Sequence, residues 1–306
     1  NKKGKTMLKL KDLITEAPSD DLATVYGDDQ KGGSPAVGKV KLAKIVADSK
    51  VQAVLKGGLA DGDPNDDKLP YSSTSIVCTA LYPTQNEIGF NQSVKNNLID
   101  TYGKLNTFFT GKPNVGGPIV TYAGKYIIDG HHRWSSVYAV NPKAKMECLN
   151  IDAKQGFDHK DILKAVHGAI AAELGKVPSA DPEGVNLLGG VTVDEIPIDL
   201  LEKNPKVLEL WKASSPVPAG KGTMDITSAA DVATALVANL EMMISNNSPA
   251  SGAPDRKHMP QTDAGGQKAT THLDNLAKGT INISAPFGEG KALKERFQKI
   301  ANIIKG

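Results

Sequence analysis

Cysteine is nearly missing from this 306-residue chain, with Cys78 and Cys148 the only two. Neither belongs to a CxxC pair or a Cys/His ligand spacing, which excludes a disulfide-stapled scaffold and a thiolate zinc site. Both read as small core residues. Aromatics are also scarce, at 5% of the chain against 30 glycines, so the expected interior is small and aliphatic between many loops. No apolar run approaches the ~20 residues of a membrane helix, and no signal-peptide pattern opens the sequence. A soluble, cytoplasmic chain with no membrane partner is therefore expected. Arginine is scarcer still: Arg133, Arg256 and Arg296 stand against 33 lysines. Where lysine supplies general surface charge, arginine's planar fork is kept for sites that grip two oxygens at once.

The common catalytic signatures are missing as well. The chain holds no complete Walker A loop, no GxGxxG, GxSxG or HExxH, and no EF-hand loop. That removes sequence support for P-loop, Rossmann, serine-hydrolase, zincin and calcium-loop readings.

What is present is an alternation of short apolar elements, in a chain long enough for one large domain or two modest ones. Residues 27–38 and 57–75 are rich in Gly, Asp, Pro and Ser and read as loops around a stretch with helical spacing, KVKLAKIVADSKVQAVL. From Ser75, SIVCTALY reads as a strand and PTQNEIGFNQSVKNNLIDTYGKLNTFF as a turn into a helix starting near Asn91 or Gln92. IVTYA and KYIID form a hairpin through Ala123-Gly124, HHRWSSVYAV a helix stopped by Asn141-Pro142, and MECLNI a further strand. The order β, α, β, β, α, β predicts an α/β (α+β) unit with a small mixed sheet.

After Gly156 the pattern is mainly helical, in DHKDILKAVHGAIAAEL, IPIDLLEKNPKVLELWK and SAADVATALVANLEMMI, and KALKERFQKIANII predicts a last helix. The expected organisation is an N-terminal extension with loops over 1–74, the α/β core over 75–155, a helical subdomain over 156–245, and a polar loop with a C-terminal helix over 246–306. Residues 151–250 carry 8 lysines against 14 acidic residues. That balance argues against this half lying along a phosphate backbone.

The strongest chemical signal is Asp129-Gly130-His131-His132-Arg133-Trp134, where a strand ends and a helix begins. A helix start leaves backbone N–H groups without intrahelical partners, adds positive potential, and with a glycine lets an anion approach closely. Arg133 is then placed to grip two phosphate oxygens while His131 or His132 donates another hydrogen bond. The plain alternative is that Asp129 caps the helix, Gly130 makes the turn, and the other side chains face solvent. A metal site from both histidines is disfavoured, because adjacent helical residues point about 100° apart. Asp129 beside a phosphate is repulsive unless a cation such as magnesium intervenes.

At this motif the sequence resembles the ParB/sulfiredoxin superfamily, whose members carry a short Gly-containing motif ending in His-Arg or Arg-Arg at a strand-to-helix junction. DGHHR is most similar to the free-serine-kinase branch and to phage and plasmid ParB-like proteins, and the likeness covers about residues 75 to 152. It implies nucleotide phosphates at Gly130, His131, His132 and Arg133. It also implies ATP or another nucleoside triphosphate with magnesium, and phosphoryl transfer to an unknown acceptor or hydrolysis. His131 stands where sulfiredoxins have cysteine, so sulfinic-acid repair is not expected, and the arginine-rich ParB version is missing.

Glu87 lies where the related kinases place a functional acid. Together with Asp129, His131 and His132 it makes the expected catalytic set, with Asp129 also the expected magnesium ligand. Gln85, Asn91 and Gln92 are further candidates for contacts to ribose, base or acceptor. Arg256 and His258 in DRKHMPQTD read either as part of a solvated linker or as a lid folding over the site. His159 and His167 read as surface, and Trp134 and Trp211 as core. The competing expectations are a DNA-associated ParB-like nuclease or partition-type binder, and a phage structural module with a decayed site. The cytoplasm is the expected location, that of an infected host if the chain is phage-encoded.

Overall fold

Successive residues of a strand point to opposite faces, and the central strands here are apolar on both. The structure, a computed structural model, describes residues 49–55, 68–100, 103–174, 185–214, 216, 218, 222–253 and 269–280. Its strands are β1 (Tyr71–Val77), β2 (Tyr82–Pro83), β3 (Ile119–Tyr122), β4 (Tyr126–Asp129) and β5 (Lys145–Ile151). They form one mixed sheet in the order β1-β5-β3-β4-β2. The α/β class expected from the sequence is what the chain adopts.

β1–β5 and β3–β4 are antiparallel, whereas β3–β5 and β2–β4 are parallel. The β3–β4 hairpin turns through Ala123 and Gly124 at φ 54° and 65°. Two positive φ values in succession match the right-handed twist of the flanking strands, and Gly124 takes its value without steric cost. Asn150 Oδ1 on β5 accepts hydrogen bonds from Gly124 N at 2.7 Å and Thr121 Oγ1 at 3.1 Å, bracing the turn.

The helices are α1 (Ser49–Leu55), α2 (Asn96–Ile99), α3 (Leu105–Phe109), α4 (His131–Val140), α5 (His159–Leu174), α6 (Asp199–Glu202), α7 (Pro205–Ser214), α8 (Ala229–Asn246) and α9 (Ala269–Ala277). On one face of the sheet, Ile119, Ile127, Met146 and Cys148 pack with Trp134 and Tyr138 of α4 and with Leu236 and Leu240 of α8. On the other, Val120, Ile128, Leu149 and Ile151 pack with Val54 of α1, Ile162 and Val166 of α5, and Leu273 of α9. Each fully buried aliphatic side chain contributes about 1.5–3 kcal/mol. Residues from all four of the expected segments meet in this second cluster.

Several local expectations need correction. SIVCTALY is not one strand. β1 ends at Val77, a 3-10 turn spans Cys78–Ala80, and β2 begins at Tyr82 on the opposite edge of the sheet. A short apolar run has the same periodicity whether straight or broken, and tertiary bonds decide it: Cys78 N donates to Ala144 O at 2.9 Å and Trp134 Nε1 to Cys78 O at 3.0 Å. β1 also starts at Tyr71, inside the stretch read as loop, because seven paired positions on β5 outweigh the turn propensity of its serines.

The helix expected from Asn91 opens as a π-helical turn, Asn91–Lys95, and breaks at Asp100 with φ 46°. Asp100 Oδ1 then accepts from Lys104 N and Leu105 N at 2.8 and 3.0 Å, starting α3. The helix read through IPIDLLEKNPKVLELWK splits into α6 and α7 at Pro205, which has no N–H to continue a helix and suits a first helical position. The expected C-terminal helix, and Arg256 and His258 of the linker or lid, lie outside the described residues.

A buried asparagine joins α8 to the start of the sheet. Asn247, fully buried, donates through Nδ2 to Thr79 O and Leu81 O at 2.9 and 2.8 Å and accepts from Tyr138 Oη at 2.8 Å. It fixes the crossover between β1 and β2, and with it the direction in which β2 delivers the next loop.

Candidate functional site

β2 and β4 are parallel neighbours, so the loops leaving their carboxyl ends emerge side by side. β3 runs antiparallel to β4, which brings the Gly116–Pro118 segment entering β3 to the same end of the sheet. Three segments converge there: 84–90 after β2, 116–118 before β3, and 130–133 after β4. A crevice outside the carboxyl ends of strands is where open α/β sheets bind ligands.

The ladder changes register between Val120 and Thr121, which places one extra residue, Ile128, in β4 just before Asp129. Such bulges re-aim the next side chain and recur beside functional sites. Gly130 follows at φ 99° as the residue preceding α4. A Cβ there would come within 2.5 Å of Ile119 Cγ2 and 2.9 Å of Ile119 Cβ. Both backbone angle and space demand glycine.

His131 is buried, and its Nε2 accepts from Thr84 N at 3.0 Å. His132 Nε2 accepts from Gly89 N at 3.3 Å. A ring nitrogen accepting an N–H carries no proton, so hydrogen bonding assigns both imidazoles as neutral with the proton on Nδ1. The two histidines thus tie the start of α4 to both ends of the β2 loop, and the stretch between those ties contains Gln85 and Glu87. The π-helical turn that follows the loop is tied down in the same way: Ser93 Oγ lies 2.6 Å from Ser135 Oγ on α4, and Ser136 Oγ donates to Gln92 O at 3.2 Å. Asn91 and Gln92 themselves are exposed.

Arg133 turns toward the third segment. Nη1 donates to Gly117 O at 3.1 Å and Pro118 O at 2.8 Å, and Nη2 to Asp129 Oδ2 at 2.9 Å. The side chains of Arg133 and Asp129 are 30% and 16% exposed. These bonds use three of the guanidinium's five N–H donors. Asp129 is therefore the counter-ion of Arg133, and its charge is already partly balanced.

Beneath Asp129, on the other face of the sheet, lies His167 of α5. It is 1% exposed, which corrects its reading as a surface residue. The apolar face of α5 that carries it was legible; its depth was not. Burial lowers its pKa from 6.5 to about 4, opposed by the Asp129 charge and a hydrogen bond to the Ile128 backbone. Its Nδ1 finds no hydrogen-bond partner. His159 instead stacks on Tyr126, with ring centroids 4.4 Å apart.

The two cysteines are buried and free. Burial pushes the Cys148 thiol up to about 11 and raises that of Cys78 further, so neither is a thiolate at neutral pH. Trp134 and Trp211 are fully buried, as expected. Among the described residues no group of three or more His, Cys, Asp or Glu side chains comes together around a metal position. The donor set does not by itself make a metal centre, and an ion here would have to arrive with a ligand's own oxygens. No described helix is long and apolar enough to cross a membrane.

One contribution to the site escaped the sequence. Asn186, in the segment preceding the 3-10 turn Leu187–Gly189, accepts through Oδ1 from Ile88 N at 3.0 Å and donates through Nδ2 to Asn86 O at 3.2 Å. Phe90 N donates to Val185 O at 2.9 Å and Leu187 N to Ile88 O at 2.8 Å, so this strap runs along the β2 loop. An Asn before a Leu-Leu-Gly turn signals a cap, but nothing local signals its partner 100 residues earlier.

Compared with known proteins, the chain matches no family model, no curated protein and no solved structure.

Proposed function

We propose that this chain binds the phosphates of a nucleoside triphosphate, carried as its magnesium complex, where the 84–90, 116–118 and 130–133 segments meet. There it transfers the terminal phosphoryl group to a hydroxyl acceptor or to water. The observation that carries this reading is the pair of histidine bonds, which hold the Glu87 loop against the α4 start at the ends of parallel strands. Phosphates are favoured at a helix start opened by glycine, and Arg133 keeps two N–H donors for them. Magnesium keeps several waters and takes one or two carboxylates plus the nucleotide's phosphates, which fits a site that offers Asp129 beside the helix start. In the reaction the acceptor oxygen bonds to the terminal phosphorus as the bridging P–O bond breaks. The nucleoside diphosphate leaves, and Glu87 takes the acceptor's proton.

Calorimetric titration with ATP, ADP and CTP in magnesium tests the reading. Wild type is expected to bind a triphosphate, and Arg133→Lys, which keeps the charge but loses the fork, to bind it at least 10-fold more weakly while remaining folded. Absence of binding to folded wild type at millimolar nucleotide, or equal affinity in both proteins, overturns it.

A second reading has its own observation: Arg133 bridges the carbonyls of Gly117 and Pro118 and the carboxylate of Asp129, joining two segments of the fold. On this view the motif is an internal clamp in a structural module. It predicts loss of stability on mutation and no nucleotide binding at all.

A further inference from the structure

The amide of Asn186 brackets one residue. Its Nδ2 holds the carbonyl of Asn86 and its Oδ1 holds the N–H of Ile88, the peptide groups on either side of Glu87. Gln85 Nε2 donates to the carbonyl of Glu87 itself at 2.7 Å. Beyond these, His131 and His132 hold Thr84 N and Gly89 N. The loop offers no regular secondary structure at Gln85–Ile88, yet its backbone is fixed on both sides of a single acidic residue.

Thr84, Gln85, Ile88 and Phe90 are buried, so this loop backbone needs hydrogen-bond partners. Three side chains from two other parts of the chain supply them, and the two Asn186 bonds flank Glu87, which is itself only half-buried. Fixed backbone with a carboxylate at its centre is what a proton acceptor requires, since misplacement by about 1 Å costs about 100-fold in rate.

We propose that Asn186 is a positioning residue for Glu87, with the Val185–Leu188 strap holding the base in place for the phosphoryl transfer. The role of Glu87 as base rests on the function proposed above; the fixing of the loop does not. In the step itself the Glu87 carboxylate takes the proton from the acceptor hydroxyl as oxygen bonds to phosphorus, and the bridging P–O bond breaks to release the nucleoside diphosphate. Asn186 touches no reacting atom.

Asn186 also caps its own turn, accepting from Leu188 N at 3.1 Å. The Asn186→Asp substitution separates the two roles, because Asp caps as well as Asn and still accepts from Ile88 N but cannot donate to Asn86 O. Amide hydrogen exchange across 85–89, which needs no turnover, is expected to quicken at least about 10-fold in Asn186→Asp, with α4 and α5 unchanged. Unchanged exchange overturns the positioning role.

With ATP and magnesium, Asn186→Asp is expected to lower kcat by about 10-fold with KM within 2-fold, and Glu87→Gln by at least about 100-fold. In the Glu87→Gln background, Asn186→Asp is expected to have no further effect. A wild-type kcat in Asn186→Asp, or the same fractional loss with Glu87 already replaced, refutes the inference. Faster exchange in Asn186→Asp, together with a wild type that never turns over nucleotide, supports the loop-fixing half and removes the phosphoryl-transfer reading instead.

Discussion

Asp129 and Arg133 face each other across the turn that opens α4, with Oδ2 2.9 Å from Nη2. The same guanidinium holds the carbonyls of Gly117 and Pro118, so one side chain joins the end of β4 to the entry of β3. An i, i+4 pair of this exposure is worth little on its own, about 0.3–0.5 kcal/mol; the carbonyl bonds are the larger part, because a charged donor strengthens them.

Arg133→Gln is accordingly expected to destabilise the fold by about 1–3 kcal/mol, and Asp129→Asn by less than about 1 kcal/mol. Urea denaturation of both single variants and the double variant checks this. A coupling well above 1 kcal/mol would show the ion pair, and not the carbonyl bonds, to be the main support.

Gly130→Ala is expected to cost about 2–5 kcal/mol, because it combines an unfavourable backbone angle with overpacking against Ile119. Shortening Ile119 to Val would leave both clashing atoms, Cβ and Cγ2, in place. Thermal unfolding of Gly130→Ala, Ile119→Ala and the double variant checks it: the double variant is expected to lose less than the sum of the two singles, since Ile119→Ala removes the clashing Cγ2 while Cβ and the backbone angle remain.

His167 predicts a pH dependence. Its folded pKa, about 4, lies below its ordinary 6.5, so between these values the unfolded chain binds the proton and the folded protein does not. Stability is therefore lost as pH falls from about 6.5 toward 4, with a limiting slope of about 1.4 kcal/mol per unit. Between pH 7 and 4.5 wild type is expected to lose about 2 kcal/mol more than His167→Phe. Denaturant midpoints at the two pH values measure this; equal losses would remove His167 as the cause.

Asn247→Ala leaves the buried carbonyl of Leu81, the part-buried carbonyl of Thr79 and the Tyr138 hydroxyl without their partner. A loss of about 2–4 kcal/mol is expected, and Tyr138→Phe, which removes a single bond, should cost about 1–2 kcal/mol. Calorimetric melting of the two variants gives the comparison.

Much of the candidate site could be read along the chain because its signals are local. A glycine between a short apolar strand and an i, i+3, i+4 pattern marks the β4 to α4 junction, and Ala123-Gly124 marks the hairpin. The break in SIVCTALY was not legible, since it depends on bonds to Ala144, Trp134 and Asn247, residues far along the chain. The depth of His167 was hidden for the same reason. Its helix shows an apolar face, but which residues of that face reach the sheet depends on how α5 lies across β4.

By itself the sequence determined the class of fold, most helix and strand positions, and where the unusual Asp-Gly-His-His-Arg run would sit, because spacing, propensity and turn chemistry act over a few residues. Only the tertiary structure decided that β1 and β2 lie on opposite edges, that Arg133 spends three donors on its own chain, and that Asn186 brackets Glu87. Those outcomes come from hydrogen bonds and packing between residues tens to about a hundred positions apart, whose partners no local pattern specifies.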